Sequence, residues 1–243
     1  MTAEAVTTAE TIETTAEMET ATEESTAQET TTAVPKAPAT IPEIVAYYNA
    51  AANRVKADKP GYSFTERTSI NSINGGAQWL VSIVNRAITD DTPQAETVAT
   101  GGNHRDFAVP GKDWASKLSA AAVHSATCAE KDGVYEIRID MRTETQPDLP
   151  GDVEQHEHGK AFKIYDRGKI YGVMSGYEAL GKITKFAPTY HDCYILCAID
   201  KSNGTMRSAQ YYYTFDATIE GKLASAIPVK AGAGISVTGK YVF

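Results

Sequence analysis

The spacing of hydrophobic residues changes along the chain, and the change predicts the architecture. In the first half, apolar side chains recur at helical intervals over residues 42–57 and 77–89, with one or two further turns over 113–122. Between the first two segments, residues 62–72 alternate between apolar and polar and predict a strand. The first helix has a predicted buried face made of Ile44, Tyr48, Ala51, Ala52 and Val55.

From about residue 123 onward the period is two, which is typical of strands with one buried and one wet face. Residues 124–130 and 134–143 flank a Gly-containing turn, and residues 160–166 are a candidate strand. The clearest unit is a hairpin over residues 189–219 that reverses at Asn203-Gly204. The alternation in its first strand places five residues on one face, which is predicted to be the inner one: His191, Cys193, Ile195, Cys197 and Ile199. In the final strand, the residues predicted to face inward are Ile235, Val237, Tyr241 and Phe243.

Helices that precede antiparallel strands predict an α+β fold, with N-terminal helices packed on a curved antiparallel sheet. Residues 90–112 and 144–159 are predicted to be polar connections, and the Gly-rich residues 168–184 are ambiguous. We expect residues 41–243 to form a single domain behind a disordered tail.

The tail, residues 1–40, is rich in Thr, Ala and Glu and contains no glycine or aromatic residue. Such a composition cannot bury enough apolar surface to offset chain entropy, so it predicts a disordered linker. A flexible chain of this length spans roughly 35 Å root-mean-square, which would suit a spacer. Met1 is followed by neither a basic nor an apolar segment, so no signal peptide is present in the sequence.

The tail resembles the linkers that follow the lipidated cysteine in surface lipoproteins of gut Clostridia and related Gram-positive bacteria. Residues 41–70 (IPEIVAYYNAAANRVKADKPGYSFTERTSI) and 109–140 (VPGKDWASKLSAAAVHSATCAEKDGVYEIRID) resemble a family from those bacteria that has no established activity. The resemblance implies the fold and an extracellular, cell-surface location. No lipobox cysteine is present, so two interpretations stay open: a signal and lipid anchor upstream of Met1, which we favour, or a cytoplasmic protein with an acidic tail.

Charge is concentrated in the tail. Residues 1–40 carry eight glutamates and one lysine, whereas the other 203 residues carry 22 basic and 23 acidic side chains. A nearly neutral body lacks the basic stripe of a nucleic-acid-binding protein, so no nucleic-acid partner is expected. No apolar run approaches the roughly 18 residues of a transmembrane helix, so any membrane attachment would depend on an anchor outside this sequence.

The reactive side chains form no recognised motif. Cys193 and Cys197 lie four residues apart on one strand, about 13 Å between Cα atoms, which is too far for a disulfide; Cys128 could pair with either. His156, Glu157 and His158 lie in a polar loop and, even with His191 and Cys193, lack a recognised metal-ligand spacing. We therefore expect no metal, no cofactor and no enzymatic activity.

Aromatic residues are the remaining candidates for function. The sequence predicts a non-catalytic cell-surface or secreted module of unknown role, displayed on a flexible acidic spacer, with an unknown protein or an apolar small molecule as its partner. The alternative is a carrier that binds a lipid or another apolar molecule between helix 42–57 and the sheet. For that alternative the candidate ligand-binding residues are Tyr48, Tyr211, Tyr213 and Phe215.

Overall fold

The computed structural model describes residues 36–75, 94–146, 156–164, 181–223 and 227–243. These residues form one α-helix and one antiparallel sheet. The elements are α1 (Ile41–Asp58), β1 (Tyr62–Gly75), β2 (Gln94–Val98), β3 (Val123–Lys131), β4 (Val134–Met141), β5 (Glu144–Thr145), β6 (Gly181–Asp200), β7 (Met206–Leu223) and β8 (Ile227–Val242).

The sheet has the strand order β2-β1-β8-β7-β6-β4-β3, with the short β5 paired beside β4 on β6. β6, β7 and β8 are long neighbouring strands at its centre. We call the face that α1 covers the inner face and the opposite one the outer face. Because strand residues alternate between faces, each central strand contributes to both.

Helix α1 begins and packs as its sequence predicts. Thr40 and Glu43 form a capping box, with the Thr40 side chain accepting from the Glu43 backbone N–H and the Glu43 carboxylate accepting from the Thr40 N–H. The helix ends at Lys59, which adopts the left-handed conformation with φ of 49°. The whole predicted face is buried, which confirms this element: Ile44, Tyr48, Ala51, Ala52 and Val55.

The predicted balance of helix and sheet is wrong. The described residues are mostly antiparallel sheet with a single α-helix, rather than several helices packed on a sheet. The predicted helix over residues 77–89 lies outside the described residues. The predicted turns over 113–122 are irregular rather than helical, apart from a short 3-10 turn at Ala120–Ala122.

Asn49 and Asn53 of α1 explain why the segment before β3 is not helical. The Asn53 carboxamide accepts from the backbone N–H groups of Ala115 and Ser116 at 2.7 and 3.0 Å and donates to the Ser116 carbonyl at 2.8 Å. Asn49 in the same way donates to the Leu118 carbonyl at 2.9 Å. These backbone groups are bonded to α1 and therefore cannot form the ladder of a new helix.

Two polar connections contain short strands that the pattern did not reveal. The predicted connection over residues 90–112 includes β2, which pairs with β1 over five residues. The predicted loop over 144–159 begins with β5, although residues 147–155 lie outside the description. The candidate strand at 160–166 is instead a 3-10 turn at His158–Lys160 followed by irregular chain, as far as residue 164.

Both predicted hairpins are confirmed. β3 and β4 reverse through Asp132 and Gly133, which both have positive φ. β6 and β7 pair antiparallel across the Asn203-Gly204 turn, with Gly204 at φ 70°. Cys193, Ile195, Cys197 and Ile199 are all buried, as the register predicts.

A β-bulge in β6 corrects the remainder of that register. The pairing shifts between His191 and Tyr194, where Asp192 has φ of 52°. The extra residue changes the alternation, so that Tyr190 is buried before the bulge and Cys193 after it. His191, which the pattern places inside, therefore lies half-exposed beside Asp192 and Asp216.

Candidate binding surface on the outer face of the sheet

The four predicted ligand-binding residues lie together in the core of the protein. Tyr48 and Phe215 are fully buried, and Tyr211 and Tyr213 retain 4% of their surface. The Tyr48 hydroxyl donates to the Ala161 carbonyl at 3.3 Å and lies at the same distance from the Tyr211 hydroxyl. The hydroxyl groups of Tyr48 and Tyr211 are therefore bonded within the protein itself.

Other aromatic rings fill the space around this set. Phe162 stacks on Tyr213 with centroids 5.3 Å apart, and Phe107 meets Tyr241 edge-on at 4.9 Å. The described cavity beside Tyr211 and Tyr213 has a volume of about 10 Å³, whereas sites for drug-sized ligands measure about 300–1,000 Å³. Burial raises the pKa of Tyr48 and of Tyr211, which keeps both phenols neutral.

A half-buried carboxylate fixes the loop that packs on the inner face. Glu144 of β5 accepts from the His158 ring Nδ1 at 2.6 Å and from the backbone N–H groups of Glu157 and His158. Burial opposes ionisation of Glu144, but these hydrogen bonds outweigh it and lower its pKa to about 2. His158 stacks on Tyr190 at 5.4 Å, so the interaction joins loop 156–164 to the sheet.

The reactive side chains in the described part of the chain form neither a metal-ligand cluster nor a disulfide. No group of three His, Cys, Asp or Glu side chains there is arranged to hold a metal ion. Cys128, Cys193 and Cys197 are all free thiols. Burial raises the pKa of Cys193 and of Cys197 to about 12, so both remain protonated and weakly nucleophilic at neutral pH.

The outer face carries a different aromatic arrangement at the centre of the sheet. Tyr194 of β6 and Tyr212 of β7 are directly paired in the register, and their rings stack with centroids 4.9 Å apart and planes at 19°. The Arg138 guanidinium of β4 lies 4.4 Å from the centroid of the Tyr194 ring. Since β6 lies between β4 and β7, Arg138 and Tyr212 approach Tyr194 from opposite sides. The stack is thus Arg138, Tyr194, Tyr212.

Hydrogen bonds fix this stack to the sheet. Arg138 donates from Nε to the Asp140 carboxylate at 2.9 Å, and the Ser125 hydroxyl lies at the same distance from that carboxylate. The Thr214 hydroxyl bonds the Tyr212 phenol at 3.1 Å. Partial burial opposes ionisation of Asp140, but the bonds from Arg138 and Ser125 outweigh it and lower its pKa. The stack is therefore charged and ordered before any ligand arrives.

Two depressions lie on the outer face on either side of Arg138. The first has a volume of about 620 Å³, and its walls include Arg142, Asp192 and both stacked tyrosines. The second has a volume of about 480 Å³ and is lined by Glu136, Leu196, Gln210 and Lys240, among others. Arg138 lines both, so the depressions are neighbours that share this side chain. We call them together the outer groove.

None of the outer-groove residues was among the four ligand-binding residues predicted from the sequence. The signal that identifies the central pair is present in the hairpin. Tyr194 and Tyr212 both alternate with buried positions, and pairing across the Asn203-Gly204 turn places them opposite each other. Arg138 cannot be found in this way, because its position beside Tyr194 depends on the pairing of β4 with β6, which are distant in sequence.

Comparison of the chain with protein-family models, with curated proteins and with solved structures finds no match. The described residues also contain no helix that is long and apolar enough to cross a bilayer. The proposal for function therefore rests on the geometry of the two faces.

Proposed function

We propose that this chain is a non-catalytic binding module, displayed at a cell surface or secreted, and that its ligand binds in the outer groove. The observation that carries the proposal is the preformed stack of Arg138, Tyr194 and Tyr212 in the wall of a 620 Å³ depression. That volume lies within the range of small-ligand sites, and the half-exposed rings offer apolar area beside polar groups.

The charged groups of the outer groove suit binding better than catalysis. A general acid or base works best with a pKa near the operating pH. The pKa of Asp140 is lowered, and its carboxylate already bonds to Arg138 and Ser125. These groups position a ligand without exchanging protons with it.

A place at the cell surface agrees with the composition of the tail. Eight glutamates among the first 40 residues would repel one another and extend a linker. Such a spacer would hold the sheet away from an attachment point and leave the outer groove accessible. The carrier interpretation has less support, since the described cavity beside Tyr211 and Tyr213 measures about 10 Å³ and the face of α1 toward the sheet is buried.

A fragment screen with chemical-shift mapping tests the proposal. A fragment library is titrated into isotope-labelled protein, and we expect shifts to cluster on the amides of Arg138, Tyr194 and Tyr212. Tyr212→Ala should abolish these shifts, whereas Tyr47→Ala on α1 should preserve them. Shifts centred on Tyr48 and Tyr211 would favour the carrier instead, and a library without hits on either face would contradict both functions.

A further inference from the structure

We infer that the ligand of the outer groove is an uncharged carbohydrate chain that lies across both depressions, with one sugar ring against Tyr212. This inference rests on the proposed function, because it names the ligand of the same surface. Four features support it: the balance of charge, the hydrogen-bonding side chains, the length of the outer groove, and the side of the aromatic stack toward β8.

The charges of the outer groove cancel. Its walls contain three cations, Arg138, Arg142 and Lys240, and three carboxylates, Glu136, Asp140 and Asp192. An anionic or cationic polymer would meet as many repulsive as attractive groups, so the outer groove provides no electrostatic preference for either. An uncharged ligand avoids this conflict, yet it must form many hydrogen bonds to use such polar walls.

The remaining lining provides those hydrogen bonds at short range. Hydroxyl and amide side chains that can each donate and accept lie on β3 and β7, with β4 and β6 between them: Ser125, Thr127, Ser208 and Gln210. Between the two depressions, the ion pair of Arg138 and Asp140 adds a guanidinium that donates hydrogen bonds and a carboxylate that accepts them. Neighbouring hydroxyls of a sugar can bond both at once, whereas an apolar ligand would leave these groups unpaired.

The shape of the outer groove suits a chain rather than a single ring. The two depressions meet at Arg138 and extend from β3 to β8 across five neighbouring strands. At about 4.8 Å between strands, that distance is roughly 19 Å. A monosaccharide would fill only part of the outer groove, while several linked rings would contact both depressions.

Tyr212 provides the aromatic surface against which the apolar face of a sugar ring can pack. One side of its ring stacks on Tyr194, whose other side carries Arg138. The far side of Tyr212 points toward β8, where the paired residue is the short Thr238. The C–H groups of a sugar ring can pack there, on an aromatic ring that its neighbours already hold in place.

Titration with oligosaccharides of increasing length tests the inference. The probes are cello-, xylo-, manno- and chito-oligosaccharides from the monosaccharide to the hexasaccharide, measured by calorimetry on the full chain. For at least one series we expect affinity to rise with length and then reach a plateau. Tyr212→Ala should weaken binding by about tenfold or more, while Tyr212→Phe, which keeps the ring, should change it by less than about threefold.

Controls separate this inference from the proposed function. Tyr47→Ala is the control variant outside the outer groove. A circular-dichroism spectrum of each variant shows whether it is folded. If fragments map to the outer groove but no oligosaccharide binds, or if heparin or polylysine binds more tightly, the carbohydrate inference is wrong and the binding module stands. If neither fragments nor oligosaccharides bind, both are wrong. Affinity that does not increase with length would also overturn the chain-like ligand.

Discussion

Tyr211 and Tyr212 are neighbours on β7, but they lie on opposite faces of the sheet and have different surroundings. Tyr211 is 4% exposed, and its hydroxyl lies 3.3 Å from that of Tyr48 on the helix. Tyr212 is half-exposed and stacks on Tyr194 in the wall of the outer groove. On the inner face aromatic residues stabilise the fold, whereas on the outer face the same residue type remains available to a ligand. The face, rather than the residue type, indicates the role.

The largest expected effect is on the inner face, at Phe215. This side chain is fully buried against Tyr190 and Tyr213. Replacing it with alanine should lower the free energy of unfolding by about 3–5 kcal/mol, because the lost contacts and the cavity both cost stability. Urea denaturation followed by circular dichroism measures this. Phe215→Leu should cost clearly less, and a loss below about 1 kcal/mol for Phe215→Ala would show that the inner face is not a packed core.

A second effect concerns pH and distinguishes a carboxylate that anchors a loop of the inner face from one in a partly exposed ion pair of the outer face. The folded-state pKa of Glu144 is about 2, below its ordinary value of 4.5. Its contribution to stability is therefore complete above pH 4.5 and is lost as the pH falls toward 2. We expect a loss of about 2–3 kcal/mol over that window, measured by denaturant unfolding at each pH.

Two variants serve as controls for this pH dependence. Glu144→Gln should flatten the profile below pH 4.5, because the titrating group that anchors loop 156–164 has been removed. Asp140→Asn on the outer face should flatten it less, since the Arg138 side chain that pairs with this carboxylate is 46% exposed and solvent screens the pair. Equal effects of the two variants would contradict the distinction between the faces.

The parts of the fold that depend on neighbouring residues were predicted well from the sequence. Helix α1, its buried face and both hairpins follow from local periodicity and turn residues. The bulge at Asp192 was missed, because it is an extra residue in a strand whose alternation otherwise looks regular. The segment before β3 was predicted to be helical because its apolar spacing permits a helix, whereas its backbone is bonded to Asn49 and Asn53.

The candidate site was predicted less well, for a related reason. The ligand-binding residues predicted on β7 were Tyr211, Tyr213 and Phe215. All three lie on the inner face, where they are core residues. Hairpin register identifies Tyr212 and Tyr194 as an outer pair. Arg138 joins them only through the pairing of β4 with β6, whose paired residues lie more than fifty positions apart. Such distant contacts are not encoded in any local period.

A third effect tests whether the helix leaves space above the sheet. Ala51 is 5% exposed on the inner side of α1. Ala51→Leu adds bulk to a filled region, so it should lower stability by about 1–3 kcal/mol through overpacking. Thermal or chemical denaturation measures the loss, and Ala50→Leu on the exposed side of the helix should cause almost none. A neutral or stabilising Ala51→Leu would indicate empty space and would revive the carrier interpretation.

The smallest expected effect on stability is at Tyr212. Its removal deletes one cross-strand aromatic pair on a half-exposed face, which contributes about 0.2–1 kcal/mol. Tyr212→Ala should therefore unfold within about 1 kcal/mol of the unmodified protein, while Tyr211→Ala, one position away, should lose about 3 kcal/mol or more. Denaturant titrations of the two variants side by side measure the difference. A residue that contacts a ligand is expected to contribute little to stability and yet to be required for fragment binding. Equal losses would instead mean that Tyr212 is as much a core residue as Tyr211, and the outer groove would lose its central support.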